Sequence, residues 1–432
     1  MAHDLFSNDF KALPYWWDET PPPQSDPGAL PAKVDVVIIG SGYTGLNAAM
    51  QTARGGRSTV VLEAEAAGWG CSTRNGGQVS TSIKPSYEDL AARHGEAKAF
   101  AILKEGHNAL AWIGEMIAAE GIECGYKIVG RFHAAHNPAQ YEKLAARIGK
   151  QPKGLEVPAH MVPRSEQHRE LGTDAYHGGV VYPRHASLDP ARFHTGLLRL
   201  AVDAGVQVIA HCAATGITRQ DSGFCIATSR GDIQARNVIV ATNGYTGTVT
   251  PWHRRRVVPI GSYIIATEPL SASVMDRLMP TDRVHSDTRK VVCYHRPSPD
   301  RRRILYGGRV SFSETDPKAS GPKLHRDLVR IFPELAETKI SHSWVGFVGY
   351  TFDTLAHVGC HEGVHYAMGY CGSGVSMASY LGMRIGQQVL GSKDGETAFD
   401  PIKFQTRPFY TGNPWFLSAS VMYYRFLDSL NR

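Results

Sequence analysis

The sequence lacks the features that mark secreted, membrane-spanning and disulfide-bonded proteins. No window approaches the roughly 20 apolar residues that a membrane helix requires, and the first ten residues contain no basic segment followed by an apolar run. The seven cysteines are odd in number and form no C-x-x-C pair, which argues against a disulfide framework or a zinc site. We therefore expect a cytoplasmic protein with reduced thiols, no metal and no transmembrane segment.

A large excess of one charge is also missing. The 46 basic and 40 acidic residues give a formal net charge of +6, and without a concentrated basic stripe this balance does not suit a nucleic-acid binder. Arginine clusters at 254–256 and 301–303 are interpreted as solvated turns, because like charges this close repel unless water screens them. The chain of 432 residues, 42% of them hydrophobic, is long enough for two or three domains.

Residues 34–64 predict a strand, a turn, a helix and a second strand. Directly after the apolar run at 34–39, the string G-S-G-Y-T-G supplies three glycines, Gly40, Gly42 and Gly45. Glycines at this spacing allow a tight turn, close approach to a pyrophosphate and packing of helix on strand. Glu63 ends the second strand, where a carboxylate can accept hydrogen bonds from adenosine ribose hydroxyls. The segment predicts a dinucleotide site with a helix N-terminus directed at the phosphates.

Three blocks of the chain resemble the D-amino-acid oxidase superfamily of flavoproteins. They are the fingerprint with Glu63, the loop GWGCSTRNGGQ at 68–78, and GYCGSGV at 369–375. The fingerprint alone fits NAD and FAD equally, since both carry the same ADP half. No second G-x-G-x-x-G follows a strand, so we expect a single dinucleotide, and the resemblance implies that it is FAD.

The resemblance implies an α/β fold with a Rossmann-like FAD-binding domain of the glutathione-reductase type. A second, substrate-binding domain would carry a large mixed or antiparallel β-sheet, with strands predicted at 257–270, 290–297, 302–312 and 339–353. We expect residues 33–85, 170–250 and 350–432 to form the FAD-binding domain, and 86–169 and 251–349 the substrate domain. Residues 1–32 would form an N-terminal arm.

The same blocks supply the residues that the resemblance implies for FAD binding. The fingerprint region contributes Gly40, Gly42, Tyr43, Thr44, Gly45, Glu63 and Ala64, and the loop contributes Ser72, Arg74, Asn75, Gly76, Gly77 and Gln78. A returning strand at 238–247 would place three residues near the ADP, Ala241, Thr242 and Asn243. A helix that follows the third block would direct backbone amides at the flavin pyrimidine, from Gly372, Ser373, Gly374 and Val375.

The resemblance also bears on how the FAD is attached. Some members of the superfamily link the flavin to a histidine in the early loop, where this chain has Asn75. Sarcosine oxidases use a cysteine ahead of a segment similar to 350–353, and Gly346 stands at that position here. Cys371 matches neither position. We therefore expect FAD to be held non-covalently.

The reaction implied is hydride transfer from an amine-bearing carbon to the flavin, giving an imine that water hydrolyses. A γ-glutamylputrescine-like amine is favoured as the substrate. The alternatives are an L-pipecolate-like, proline-like or N-methyl amino acid, and, from another class, a non-catalytic FAD-binding subunit. Sarcosine oxidases carry a lysine above the flavin that the strand at 304–308 lacks, so oxygen, a quinone and a carrier protein stay open as electron acceptors.

Candidates for the catalytic and substrate-contacting residues come from the predicted strands of the substrate domain. An arginine there would favour a carboxylate substrate. The candidates are Tyr263, Tyr294, His295, Arg309, His342 and Trp344, with Thr351 and Asp353 beside the dimethylbenzene ring of the flavin.

The two ends of the chain carry further apolar segments. The aromatic cluster at 15–17 is expected to clamp the N-terminal arm onto a surface of this chain or of a partner, with a role in substrate access as the alternative. Residues 415–432 have apolar residues at helical spacing and predict a helix packed on the domain, with a peripheral membrane contact as the alternative. The oligomeric state is left open.

Overall fold

Two large β-sheets organise the molecule. The computed structural model describes residues 5–23, 28–81, 83–311, 316–417 and 419–423. In this part of the chain the strands are β1 (Phe6–Lys11), β2 (Lys33–Ile39), β3 (Thr59–Leu62), β4 (Gln78–Val79), β5 (Arg131–Ala134), β6 (His160–Val162), β7 (Gly179–Tyr182), β8 (Ala186–Ser187), β9 (Gln207–Ile209), β10 (Ala214–Gln220), β11 (Gly223–Thr228), β12 (Gly231–Val240), β13 (Val258–Thr267), β14 (Val284–Asp287), β15 (Tyr294–Pro297), β16 (Ile304–Ser311), β17 (Ile340–Tyr350), β18 (His357–His361) and β19 (Val364–Met368). The helices are α1 (Tyr43–Arg54), α2 (Tyr87–His94), α3 (Glu96–Ala119), α4 (Pro138–Gly149), α5 (Pro190–Asp203), α6 (Pro251–Arg254), α7 (Ala272–Leu278), α8 (Pro317–Ile331) and α9 (Gly374–Val389).

The first sheet contains the predicted dinucleotide-binding unit. Its strand order is β10-β11-β12-β2-β3-β9, with β19 paired to β12 and β18 paired to β19. Strands β12, β2, β3, β9 and β19 run parallel, as expected where helices cover the sheet. Helix α9 packs closely on α1, because a Cβ at Gly382 would lie 2.5 Å from the carbonyl oxygen of Thr44. The predicted strand, helix and second strand at 34–64 are confirmed as β2, α1 and β3.

The second sheet has the order β1-β17-β13-β16-β15-β14-β5-β7-β6. Most neighbours are antiparallel, but β1 with β17 and β14 with β5 are parallel, so the sheet is mixed as predicted. Helices α7 and α8 bury one face of it around a core that includes Tyr263, Tyr306 and Leu328. The four strands predicted from the sequence between 257 and 353 are confirmed as β13, β15, β16 and β17.

Two strands pair outside the domain to which the sequence-based domain boundaries assigned them. Strand β1, in the predicted N-terminal arm, extends the second sheet along β17. Strand β7, which the division assigned to the FAD-binding part, pairs with β5 and β6 of the second sheet. Both pairings join residues far apart in the chain, which local sequence patterns do not reveal.

Among the described residues, no helix is long and apolar enough to cross a membrane. At the C-terminal end, Leu417 is buried while Trp415, Met422 and Tyr423 are exposed. The remainder of the helix predicted over 415–432, namely 418 and 424–432, lies outside the described residues.

Candidate active site

A deep cavity of about 1170 Å³ lies between the two sheets. One wall comes from the carboxyl ends of β2 and β12, the start of α1, the loop 68–78 and the start of α9. The other comes from β13, β15, β16 and β17. Its volume is somewhat above the range of about 300–1,000 Å³ that is usual for small-molecule sites, and its position at the ends of parallel strands is typical of nucleotide binding.

The dinucleotide end is built by the glycine turn between β2 and α1. Gly40 has a φ of +104°, and a Cβ at Gly45 would lie 1.9 Å from the carbonyl oxygen of Gly40, so the turn requires both glycines. One oxygen of the Glu63 carboxylate accepts hydrogen bonds from the backbone N–H of Ser41 at 2.9 Å and from its hydroxyl at 2.7 Å. The result is a narrow backbone cradle with a carboxylate at its mouth, which fits the pyrophosphate and ribose of a dinucleotide.

The glycine-rich loop 68–78 lies along the cavity and is held in shape by Asn75. The side-chain amide of Asn75 donates to the backbone oxygens of Cys71 and Ser72 at 3.1 and 3.0 Å, and its oxygen accepts from Gly77 N–H at 2.8 Å. At Gly77 φ is +65°, and a Cβ would lie 2.1 Å from the carbonyl oxygen of Leu188. Asn75 therefore shapes the loop in addition to lining the cavity.

Arg74 is fixed between aromatic rings of the arm and the loop. Its guanidinium carbon lies 4.5 Å from the ring centroid of Trp17 and 4.6 Å from that of Trp69. The Nε atom donates to the Trp69 carbonyl at 2.6 Å. Burial lowers the pKa of Arg74, and the flanking rings offset part of that cost through cation–π attraction.

Another part of the cavity lining comes from the turn between β19 and α9. Gly369, Cys371 and Gly372 all have positive φ, and helix α9 then begins at Gly374. Asn243 ties this turn to the end of β12, since its side-chain oxygen accepts from the N–H of Gly369 at 2.9 Å. The four residues predicted to contact the flavin pyrimidine line the cavity at the amino end of α9. They are Gly372, Ser373, Gly374 and Val375.

Most of the other predicted cofactor residues also line the cavity. These are Gly40, Gly42, Tyr43, Thr44, Glu63, Ala64, Ser72, Arg74, Asn75, Gly76, Gln78, Ala241, Thr242 and Asn243. Gly45 and Gly77 lie behind the wall, where each permits a close backbone contact.

The cysteines near the cavity are protonated thiols. Cys371 is 2% exposed and donates to the carbonyl oxygen of Gly369 at 3.2 Å, so its sulfur points away from the cavity. Cys71 lines the cavity, and a Cβ at Gly346 would lie 3.3 Å from its sulfur. Burial raises the pKa of each thiol to about 11, which suppresses the thiolate form that is needed for covalent chemistry.

Of the predicted catalytic residues, Tyr294 lines the cavity. Its hydroxyl group forms a 3.0 Å hydrogen bond with Ser262. Tyr263 follows Ser262 on β13 and therefore faces the other side of the sheet, in the core under α8. His295 is likewise buried on that side, stacked on His285 at 5.0 Å.

The other candidates are engaged away from the cavity. The indole of Trp344 donates to the Arg74 carbonyl at 2.8 Å, and His342 pairs with Asp18 of the arm at 3.0 Å. The hydroxyl of Thr351 donates a hydrogen bond to the carboxylate of Asp353, which is also hydrogen-bonded to the ring of His357. The backbone of Arg309 lies in β16, but its side chain lies outside the described part of the structure.

Several polar side chains in the cavity were not anticipated from the sequence. They are Lys84, Arg131, His133, Ser262, Ser286 and Tyr350. For Arg131 and His133, the sequence did contain a pattern that could have predicted them. In R-F-H-A at 131–134 they alternate with Phe132, which is buried. That alternation predicts a strand with Arg131 and His133 on one face.

Comparisons with known proteins agree with this geometry. A family model described as DAO, FAD dependent oxidoreductase, matches residues 35–388. The chain is 30% identical over 405 residues to γ-glutamylputrescine oxidoreductase of Escherichia coli (strain K12), covering 92% of this chain and 93% of the relative. It is also 30% identical over 410 residues to the probable oxidoreductase OrdL of Rhizobium meliloti, covering 94% of each.

Solved structures show the same fold. Glycine oxidase from Geobacillus kaustophilus superposes with a TM-score of 0.73 at 18% identity, covering 88% of this chain and 99% of that chain. L-Proline dehydrogenase from P. horikoshii superposes with a TM-score of 0.70 at 17% identity, covering 90% and 99%. The chain belongs to the DAO family of FAD-dependent oxidoreductases.

Proposed function

We propose that this protein oxidises the C–N bond of an amine to an imine and that its substrate is a γ-glutamylputrescine-like amine. The observation that carries the proposal is that one continuous cavity has the dinucleotide turn at Gly40, the amino end of α9 and the wall that holds Tyr294 in its lining. Membership of the DAO family makes FAD the cofactor. The relative from Escherichia coli named for γ-glutamylputrescine supports the substrate.

The residues that would hold FAD follow from the geometry of the cavity. The turn at Gly40 and the amides of α1 would bind the pyrophosphate, and Glu63 the ribose. The loop around Asn75 would lie along the flavin. The amino end of α9 carries about half a positive charge, so it would stabilise negative charge on the pyrimidine side of the ring.

Bound FAD supplies the two-electron oxidation, in which hydride leaves the carbon that bears the amine and water then hydrolyses the imine. The chain needs to orient the substrate and exclude water. Burial raises the pKa of Tyr294 and of Tyr350, so both hydroxyl groups stay protonated and can donate to the substrate. Ile260 and Ile264 add apolar surface to the same wall.

The test is anaerobic addition of amines to the holoenzyme while the flavin absorbance is recorded. The panel contains γ-glutamylputrescine, L-pipecolate, L-proline and sarcosine. Rapid bleaching by γ-glutamylputrescine, with slower or no bleaching by the others, is expected. Preferential bleaching by a cyclic or N-methyl amino acid would show that such an amino acid, and not γ-glutamylputrescine, is the substrate. No bleaching by any amine would support a non-catalytic FAD-binding subunit.

A further inference from the structure

The three most exposed large apolar side chains of the described residues belong to one short segment near the C-terminal end. Phe409 is 91% exposed, Trp415 is 69% exposed and Met422 is 67% exposed. Single apolar side chains are common on a protein surface, whereas a group of them is typical of an interaction site. This segment is therefore a candidate interaction surface.

A cluster of aromatic rings lies beneath these exposed side chains. The ring centroid of Tyr410 lies 5.2 Å from that of Phe352 and 5.9 Å from that of Phe416. Trp415 packs edge-on against Phe416 at 5.7 Å. The hydroxyl of Tyr410 donates a hydrogen bond to the backbone oxygen of Val257 at 2.7 Å. These contacts hold the segment against the body of the protein.

The backbone at Phe409 adopts a conformation that is unfavourable for a bulky residue. Its φ is +63°, in the left-handed region where an L-residue with a large side chain is rare. The next residue, Tyr410, is buried, while the ring of Phe409 lies in solvent. Strain of this kind is concentrated at functional positions. Because the exposed ring gains no packing within the chain, the strain favours a partner outside it.

The end of α6 places two arginines beside the same segment. A Cβ on Gly412 would collide with the side chain of Arg254, and the hydroxyl of Thr406 donates to the backbone oxygen of Arg255 at 2.5 Å. Arg407 follows Thr406 in the chain, and Arg255 and Arg407 are both exposed. Basic side chains from two distant parts of the sequence therefore lie next to the exposed rings.

Acidic residues are missing from the two segments that form this surface. Residues 401–423 contain two basic residues and no Asp or Glu, and residues 249–258 contain three arginines and no Asp or Glu. Asp353 and Asp400, which flank the surface segments in the chain, are engaged internally. Asp353 pairs with His357, and Asp400 accepts hydrogen bonds from two neighbouring side chains. The surface therefore combines exposed apolar side chains with positive charge.

We call this surface the aromatic-basic patch, and it consists of Phe409, Trp415, Met422, Arg254, Arg255, Lys403 and Arg407. It adjoins the wall of the cavity, because Thr250 lines the cavity and its backbone oxygen accepts from the N–H of Arg254 at 2.9 Å. A partner on the aromatic-basic patch would therefore lie beside the cavity wall.

We propose that the aromatic-basic patch binds the surface of an anionic phospholipid bilayer. Aromatic rings favour the boundary between headgroups and acyl chains. Each basic side chain near an anionic surface strengthens binding about fivefold. The ring of Phe409 is almost fully exposed, which suits insertion into a bilayer better than packing in a protein interface. This inference does not depend on which amine the protein oxidises.

The experiment measures sedimentation of the holoprotein with phospholipid vesicles. One set of vesicles contains phosphatidylcholine alone, and the other contains equal parts of phosphatidylcholine and phosphatidylglycerol. At about 0.1 M salt, wild type is expected to bind the anionic vesicles at least about tenfold more tightly than the neutral ones. At about 1 M salt most of that preference should disappear, because the Debye length falls from about 10 to 3 Å.

Two double variants separate the contributions of the rings and the charges. Phe409→Asn with Trp415→Gln removes both rings, and asparagine tolerates the positive φ at position 409. Arg255→Gln with Arg407→Gln removes two exposed charges. Each double variant should bind the anionic vesicles at least about tenfold more weakly than wild type. Unchanged flavin absorbance and Tm will show that both are folded.

A matched control variant lies on α5, which packs on the opposite face of the first sheet from α6. Arg199→Gln with Val202→Gln changes one exposed basic and one exposed apolar residue there. It should bind vesicles as wild type does.

Two results with vesicles would overturn the inference. They are failure of wild type to bind anionic vesicles, and equal binding by wild type and both variants of the aromatic-basic patch. Dimerisation in analytical ultracentrifugation that is lost in Phe409→Asn, without vesicle binding, would also overturn it, because a second copy of the chain would then cover the patch.

Discussion

The indole nitrogen of Trp16 donates a hydrogen bond to the backbone oxygen of Asn75 at 3.0 Å, across 59 residues of sequence. Its neighbour Trp17 donates to the hydroxyl of Thr73 at 3.0 Å. The aromatic cluster of the N-terminal arm thus lies on the chain's own glycine-rich loop. Because that loop lines the cavity, the arm positions backbone that the proposed FAD would contact.

Trp16→Phe keeps a buried ring but removes the hydrogen bond to Asn75. Loss of one such bond is worth about 1 kcal/mol, or roughly a fivefold weaker affinity for FAD if the loop must be ordered to bind it. Flavin fluorescence titration of the apoprotein measures this Kd. Trp415→Phe, at a 69% exposed position, is the control and should have no effect. An unchanged Kd in Trp16→Phe would show that the arm does not act on the flavin site.

Gly45→Ala should prevent the dinucleotide turn from forming. The Cβ added at position 45 would lie 1.9 Å from the carbonyl oxygen of Gly40. Both partners of this clash belong to the main chain of the turn, so no side-chain rotation can relieve it. We expect a protein purified without FAD and with a lower Tm. Gly149→Ala, at a helix position where a Cβ meets nothing within 4 Å, should keep its flavin. A yellow Gly45→Ala protein of normal Tm would contradict this role of the turn.

Acid stability should depend on His295. Burial lowers its pKa from 6.5 to about 3, so below pH 6.5 the unfolded chain binds a proton that the folded protein excludes. Stability contributed by the neutral ring is therefore complete above pH 6.5 and is lost as pH falls toward 3. Between pH 6.5 and 5 the loss is about 2 kcal/mol for this histidine.

Urea unfolding at pH 7.5 and pH 5 measures that loss. His295→Phe removes the titrating group and keeps a ring of similar shape, so its free energy of unfolding should change less between the two pH values. The exposed His168→Gln should behave as wild type. If the free energy of unfolding depended on pH equally in wild type and His295→Phe, the prediction would be wrong.

FAD should leave the protein completely on acid precipitation. The resemblance described above implies that Asn75 and Gly346 stand where other members of the superfamily have flavin-linking residues. Burial raises the pKa of the Cys71 and Cys371 thiols. The yellow colour is expected in the supernatant after trichloroacetic acid treatment. Colour retained in the pellet would show a covalent bond, which peptide mass spectrometry would then locate.

Local sequence was sufficient to predict the dinucleotide unit. The apolar run, the three glycines and Glu63 follow one another within a single β-α-β segment, where each geometric requirement acts between near neighbours. The same holds for the helix predicted after GYCGSGV at 369–375, which is confirmed as α9. The β-branched and aromatic runs also predicted four strands of the second sheet, β13, β15, β16 and β17.

Local sequence patterns did not predict which side chains of those strands face the cavity. A shift of one residue turns a side chain to the other side of a sheet, so Tyr263 lies in the core and Ser262 lines the cavity. Trp344 and His342 contact the arm because β1 pairs with β17, an association between distant segments.

The amino-acid sequence by itself determined the nucleotide-binding turn, because glycine and carboxylate act there at fixed, short spacing. Only the tertiary structure decided which side chains share the cavity with it. Lys84, Arg131 and Arg147 come from a loop, a strand and a helix, and the packing of these elements around the cavity brings them together. Charges assembled in this way have no spacing in the sequence from which they could be predicted.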